Sequence, residues 1–468
     1  MKVSDRAVAA TLAVLVIVAR LPFATHTLWA WDSVLYARAL EQGFHVGADL
    51  ADQRPHPPGY LFYVGAAAAA RLFTGDSNAA LVVVSVLASG LTAAAVYLLC
   101  RRYADRALAV IVALGAATAP LAWTYGEVAM PYALLGLLSI ALAVALRDAR
   151  ARAWPAALVV SAGLGLAAGF RQDVLLLLGP LWLWMLAARP WRERALCIAA
   201  VGIAGLAWFL PSASLSGGLT AYLASLGGQA TRVSELSPAA GSDALLRNTL
   251  LTVYALFWGL LGFALLIVAG IITSLTTRRR LSEDAMFFAL WLAPAALVYV
   301  TIHIGDPGYL MSMLPGLYVS CAALLAPTAR RAAPMVFPWM ALFVVINAAV
   351  FALGDGPFSA SAIASHDRVT ARRVAVVRAM APSSTVVLAR SDYLIARYYL
   401  PEYTVLFDGA APEVLSSAAR EVPLVSPTGV FFFGSLPSPF PAAVRLDTAD
   451  SGTIVPGATL VAYDLEPH

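Results

Sequence analysis

The run GYLFYVGAAAAARLF, residues 59–73, decides how the rest of the chain is laid out, because it is apolar yet short for a bilayer crossing. If it crosses, Arg101, Arg102 and Arg106 end up outside; if it lies on the surface, they fall inside with the later arginine clusters. The second choice is consistent along the chain. Lys2 and Arg6, Arg147/Arg150/Arg152, Arg189/Arg192/Arg194, Arg278/Arg279/Arg280 and Arg330/Arg331 then all face the cytoplasm. Other apolar runs near crossing length occur at 8–23, 78–100, 107–125, 129–147, 155–171, 173–188, 195–212, 249–274, 285–303, 309–327 and 334–354. The expected fold is therefore mainly α, a polytopic membrane protein of about eleven transmembrane helices, with surface helices in the first outer loop.

Composition supports this class. Hydrophobic residues make up 60% of the chain and charged residues 12%, and the mean hydropathy is +0.78, outside the range of soluble domains. Acidic residues (27) nearly balance basic ones (31), which argues against nucleic acid as a partner. Cys100, Cys197 and Cys321 sit in apolar runs without CxxC spacing, so neither a disulfide framework nor a redox motif is implied. The first apolar run lacks a small-residue cleavage site and reads as a retained helix.

This topology places three segments outside: the loop from Ala24 to Asn78, a Gly/Ser-rich loop from Pro211 to Asn248, and the tail after Leu353. In the tail, β-type runs at 385–389, 404–407, 429–433 and 458–463 alternate with helix-like stretches such as 410–421. The expected organisation is a transmembrane domain over 1–354 and a small extracytoplasmic α/β domain over 355–468.

Polar residues at the outer boundary are the candidates for chemistry. Asp32, in LWAWDSVLYARAL, reads either as a helix N-cap or as a carboxylate partly desolvated by Trp29 and Trp31 and able to act as a base. Glu127, in WTYGEVAMPYALL, is a turn residue or a second acid on the same face. Arg171 and Asp173, in GLAAGFRQDVLLLLGP, form a helix-end ion pair or an anion clamp suited to a lipid-linked phosphate. His303, Asp306 and Tyr309, in IHIGDPGYLMSMLPGL, make a further cluster or a simple turn. In RPHPPGYLF, the prolines are expected to hold the backbone extended, so that Arg54 and His56 project in fixed directions beside Tyr60.

The ordered set resembles the GT-C superfamily of membrane glycosyltransferases: an acid after the first span, a PP phrase closing the first outer loop, an acid in the second outer turn, a basic residue after the fifth span and an outer C-terminal domain. Within it, the chain is similar to the protein O-mannosyltransferases and the lipid A aminoarabinose transferases, over residues 1–330 and above all 20–175. The resemblance implies a hexosyl- or pentosyltransferase that moves a sugar from a polyprenyl-phosphate donor to a lipid, glycan or protein acceptor. It implies Asp32 and Glu127 as catalytic acids, with Ser33 in place of the second acid that relatives often carry after the first. It implies Arg171, His56 and Arg54 at the donor phosphate, and leaves Tyr60, Asp173, His303 and Tyr309 as possible substrate contacts. Some relatives hold a divalent cation near this loop, for which Asp52, His56 and Glu127 are available here. The setting implied is a bacterial inner membrane, with the N-terminus cytoplasmic and the C-terminal domain outside. The rival class, a transporter or lipid flippase, predicts charges through the membrane depth and helices broken in paired halves.

Overall fold

The computed structural model describes residues 4–47, 50–235, 237–238, 241–276, 283–408, 419–426, 428–438 and 440–465. Arg278, Arg279 and Arg280 lie outside the described residues, as does most of the expected helix-like stretch 410–421, whose last two residues belong to a strand. The chain divides into two compact units, each discontinuous in sequence: one of Met1–Thr25, Tyr60–Ser212 and Ala230–Ala364, the other of His26–Gly59, Ala213–Gln229 and Ser365–His468.

The first unit is a helical bundle whose helices start where the sequence supplies caps. Ser4 accepts from Ala7 N (3.1 Å), Asp76 from Ala79 N (2.7 Å) and Asp105 from Leu108 N (2.9 Å), each satisfying an orphan donor of a first turn. The helix Asp5–Arg20 packs on Ser77–Cys100 through Gly90, where a Cβ would lie 2.7 Å from Ala13 O. Asp5 pairs with Arg101 (3.2 Å) and Arg106 (3.1 Å), so the start of the first helix meets the end of the second. The segment joining them therefore begins and ends at the opposite end of the bundle. Its helix Leu61–Thr74 has 14 residues, about 21 Å of rise against a hydrocarbon core of about 30 Å. Arg102 joins Asp148 and Arg147 joins Asp284, gathering further arginine clusters in charge pairs at helix ends.

Among the described residues, six helices are long and apolar enough to cross a membrane, or seven if one bent pair counts as one span. Five more apolar helices are shorter, so helix length and hydropathy do not establish the expected count of eleven. The expected span 249–274 is two helices, Ser242–Leu260 and Gly262–Thr276, meeting at a 98° bend beside Leu261, whose φ is +43°. The expected spans 309–327 and 334–354 share one 40-residue helix, Leu314–Leu353. Alanine and arginine between them are strong helix formers and continue it. The expected loop 211–248 is largely helical, with Trp191–Leu215 running into it and Leu219–Glu235 inside it. Its Gly/Ser content hides an apolar set at Leu219, Tyr222, Leu223 and Leu226, a helical period.

The second unit is built on a seven-stranded mixed sheet of β1 (Thr385–Ala389), β2 (Thr404–Phe407), β3 (Arg420–Val425), β4 (Gly429–Phe433), β5 (Val444–Leu446), β6 (Ser451–Ile454) and β7 (Thr459–Asp464), ordered β3-β7-β2-β1-β4-β6-β5. β1 is parallel to both β2 and β4, and the outer pairings are antiparallel. The central strands are buried on both faces, as parallel strands are. Leu388, Leu406, Val430 and Phe432 pack on one face. On the other, Phe407 meets Tyr393 of the helix Tyr393–Tyr399, and Phe433 lies under Arg373 of the helix Ala360–Arg378. The expected runs at 385–389, 404–407 and 429–433 are strands, and 458–463 is one residue out of register with β7. This unit also holds the helix Trp31–Gln42, which buries Val34, Leu35, Tyr36, Ala37 and Ala39.

Candidate active site

Arg171 lies between the helices Trp154–Ala167 and Asp173–Ala187 and is only 4% exposed. A buried guanidinium needs compensation, and the local sequence supplies it. Arg171 Nε donates to Asp173 Oδ2 at 2.8 Å, and the rings of Tyr309, Tyr132 and Tyr60 stand 4.5, 4.8 and 5.7 Å from its Cζ. Three aromatic faces and one carboxylate hold the cation in a defined plane. The buried Asp173 Oδ1 has no hydrogen-bond partner among the described residues. The cage thus sets a buried guanidinium beside a carboxylate oxygen that no described residue bonds. Sequence reasoning found Arg171, Asp173, Tyr60 and Tyr309 but missed Tyr132, whose signal was its place as the first residue of a helix after Pro131.

Tyr60 takes its position from a left-handed backbone (φ +55°) at the start of Leu61–Thr74, and Phe62 N donates to Gly169 O at 2.9 Å, tying that helix start to the turn before Arg171. Tyr309 is carried on a two-turn segment, Pro307–Ser312, capped by Asp306, which accepts from Gly308 N (2.7 Å) and from Tyr125 OH. Tyr299 OH donates to Tyr309 O at 2.8 Å. The His303 ring stands edge-on to Tyr309 at 6.2 Å, and its buried Nδ1 has no hydrogen-bond partner among the described residues. Burial, then the charge of Arg247, lowers the pKa of His303 below the usual imidazole value.

Glu127 is fully buried, in a turn fixed on several sides. Ser85 Oγ donates to Val128 O and Met130 O, both 2.9 Å, and Glu127 O accepts from Thr25 N at 3.0 Å. Its Oε1 accepts from Trp123 Nε1 at 2.5 Å, and its Oε2 has no hydrogen-bond partner among the described residues. Burial pushes the carboxyl up to about 8, against the opposing charge of Arg20 and the Trp123 bond. Glu127 is therefore a sealed acid and not a solvated turn residue.

In the second unit, Asp32 Oδ1 lies 3.6 Å from His56 Nδ1, within ion-pair range and beyond a hydrogen bond. Asp32 is not the helix cap. That position is Ala30, whose N–H donates to Ser33 Oγ at 3.3 Å, and Asp32 sits in the first turn, where the helix dipole favours a carboxylate. The flanking tryptophans do not seal it: Trp29 packs on His366 and Trp31 Nε1 donates to Ser391 O, leaving the Asp32 side chain 33% exposed. The proline phrase turns rather than running extended, with a cis peptide between Pro57 and Pro58. Gly59 follows at φ +103°, where a Cβ would come within 2.5 Å of Val46 and 2.8 Å of Phe44. Tyr222 OH donates to Pro58 O at 3.0 Å. Arg54 donates to Gly43 O at 3.1 Å, and with Asp52 and His45 it lines an open cleft of about 480 Å³.

Among the described residues no three His, Cys, Asp or Glu side chains are grouped to hold an ion, and Glu127 Oε1 is engaged by Trp123. No step is assigned to a metal.

A model of the dolichyl-phosphate-mannose-protein mannosyltransferase family matches residues 55–214, the stretch that carries His56, Tyr60, Glu127, Tyr132, Arg171 and Asp173. The solved structure of ArnT from Cupriavidus metallidurans bound to undecaprenyl phosphate superposes with a TM-score of 0.59 at 14% identity, covering 98% of each chain. The chain has the fold of a GT-C membrane glycosyltransferase. The same ArnT in the apo state gives a TM-score of 0.56 at 14% identity over 97% of each chain. No curated protein sequence matches. The likeness to ArnT spans nearly the whole length, the C-terminal sheet included.

Proposed function

We propose that the protein transfers a hexosyl or pentosyl group from a polyprenyl-phosphate carrier to a lipid, glycan or protein acceptor on the outer side of a bacterial inner membrane. The observation that carries this reading is the buried Arg171, held by three tyrosines and by Asp173, whose Oδ1 has no hydrogen-bond partner among the described residues. A planar, permanently charged fork fits a phosphate bidentately. The likeness to a structure that holds undecaprenyl phosphate supports the same ligand class.

In the proposed step, the Asp32 carboxylate takes the proton of the acceptor hydroxyl as that oxygen bonds the anomeric carbon. The bond from this carbon to the phosphate oxygen breaks, and the phosphate leaves with the electron pair. Arg171 stabilises the charge that develops on it. His56 orients the Asp32 carboxylate, a role its 3.6 Å separation supports better than direct phosphate contact. Glu127, sealed and bonded to Trp123, is assigned to holding its turn in place rather than to the chemistry. The rival transporter reading calls for helix breaks in paired halves, and one bent pair is found among the described residues.

Binding of a polyprenyl phosphate to the purified protein in nanodiscs tests the assignment. Arg171→Gln is expected to weaken binding at least tenfold with the fold intact by its melting curve. Equal binding by this variant would remove Arg171 from the phosphate site.

A further inference from the structure

The residues just before Asp32 are held by one distant stretch of chain. Asp367 accepts from His26 N (2.9 Å), Thr27 N (2.9 Å) and Thr27 Oγ1 (2.6 Å). Leu28 N donates to Tyr399 OH at 2.9 Å, and Leu28 O accepts from His366 Nε2 at 3.0 Å. The His366 ring also carries Trp29 at 4.8 Å. The far end of the same helix is tied by Tyr398 OH, which donates to Glu41 Oε1 at 2.5 Å.

Two features separate this from ordinary packing. The bonds before the helix fall mostly on backbone N–H and C=O groups, which fixes the path of the chain, and the Asp32 carboxylate itself stays outside the network with His56 beside it. Moreover, the carboxyl ends of β1 and β4, where open α/β sheets of this kind take ligands, are engaged by the protein itself. Trp31 bonds Ser391 O after β1, and Arg373 bonds Asp392 Oδ2 (3.3 Å) and Gly434 O (2.8 Å).

We propose that the C-terminal segment from His366 to Tyr399 is a positioning clamp for the general base, with Asp367 its principal residue and His366 its second. The sheet serves to hold Asp32 in register and does not bind a substrate of its own. Asp367 and His366 are positioning residues, since they act through the backbone of residues 26–28. This inference rests on the reading of Asp32 as base.

The test uses the full-length protein in nanodiscs, with steady-state transfer kinetics, melting curves and amide exchange of the peptide covering residues 26–42. Asp367→Asn is expected to lower kcat at least tenfold with the donor KM within twofold of wild type, and to speed exchange in that peptide alone. Thr27→Val should lower kcat less, and Thr27→Ser should restore it. His366→Phe keeps the ring beside Trp29 but not the bond to Leu28 O, and supplies the same comparison if Asp367→Asn fails to fold. Faster exchange with kcat unchanged, or a folded variant with neither effect, overturns the clamp. Asp32→Asn is the separate arm: if it transfers like wild type, the reading of Asp32 fails whatever the clamp variants do.

Discussion

Arg171 and Asp32 are made useful in opposite ways. Arg171 is buried and its charge is held by rings and Asp173, whereas Asp32 is left a third exposed with one imidazole beside it. Arg171→Lys keeps the charge but loses the planar fork and its ring stacking, so it is expected to recover little of the transfer lost in Arg171→Gln, as measured by kcat/KM for the donor. Glu127 makes a prediction of stability. Its folded pKa of about 8 exceeds the ordinary 4.5, so the folded state holds a proton that the unfolded chain releases. Stability is full below about pH 4.5 and falls as pH rises to about 8, by on the order of 5 kcal/mol. Melting curves across this window should show the fall in wild type and a flatter course in Glu127→Gln, which keeps a neutral acceptor for Trp123. The individual acids and Arg171 were legible in the sequence because charge beside apolar runs has few structural uses. What was not legible was pairing: nothing in the spacing of Asp32 and His56, or of Arg171 and Tyr132, says that a turn and a bundle bring them together.

Among the elements, the segment between Arg20 and Ser77 is tightly constrained at Gly59. Gly59→Ala would place a methyl group against Val46 and Phe44 at a backbone angle that disfavours side chains. It should cost about 1–3 kcal/mol in a melting assay and lower transfer by displacing the proline turn that carries His56. In the sheet, Phe432→Ala removes a buried ring from the β4 core and should destabilise by about 3–5 kcal/mol, read from the shift in melting. Four of the seven strands were visible as β-type runs, because the central strands are apolar on both faces. β3, β5 and β6 were not: the edge strands β3 and β5 carry charged residues such as Arg420 and Arg445, and β6 has only four residues, so each gives little period-2 signal. The helix Leu219–Glu235 was hidden by its glycines and serines, and the bend at Leu261 by an apolar run that continues through it.

At the scale of the molecule, the arginine pattern carries a test of sidedness. Cys100, Cys197 and Cys321 are buried, so single cysteines introduced at exposed positions report without interference from them. In intact cells, a membrane-impermeant thiol reagent is expected to label Asp447→Cys and to spare Arg152→Cys; the reverse pattern would invert the topology. The central claim is transfer itself. Membranes containing wild type or Asp32→Asn, matched for folded protein, would be given radiolabelled polyprenyl-phosphate sugars and the transfer of label measured. The account predicts transfer by wild type and a loss of at least a hundredfold in Asp32→Asn; equal transfer by the two would contradict it.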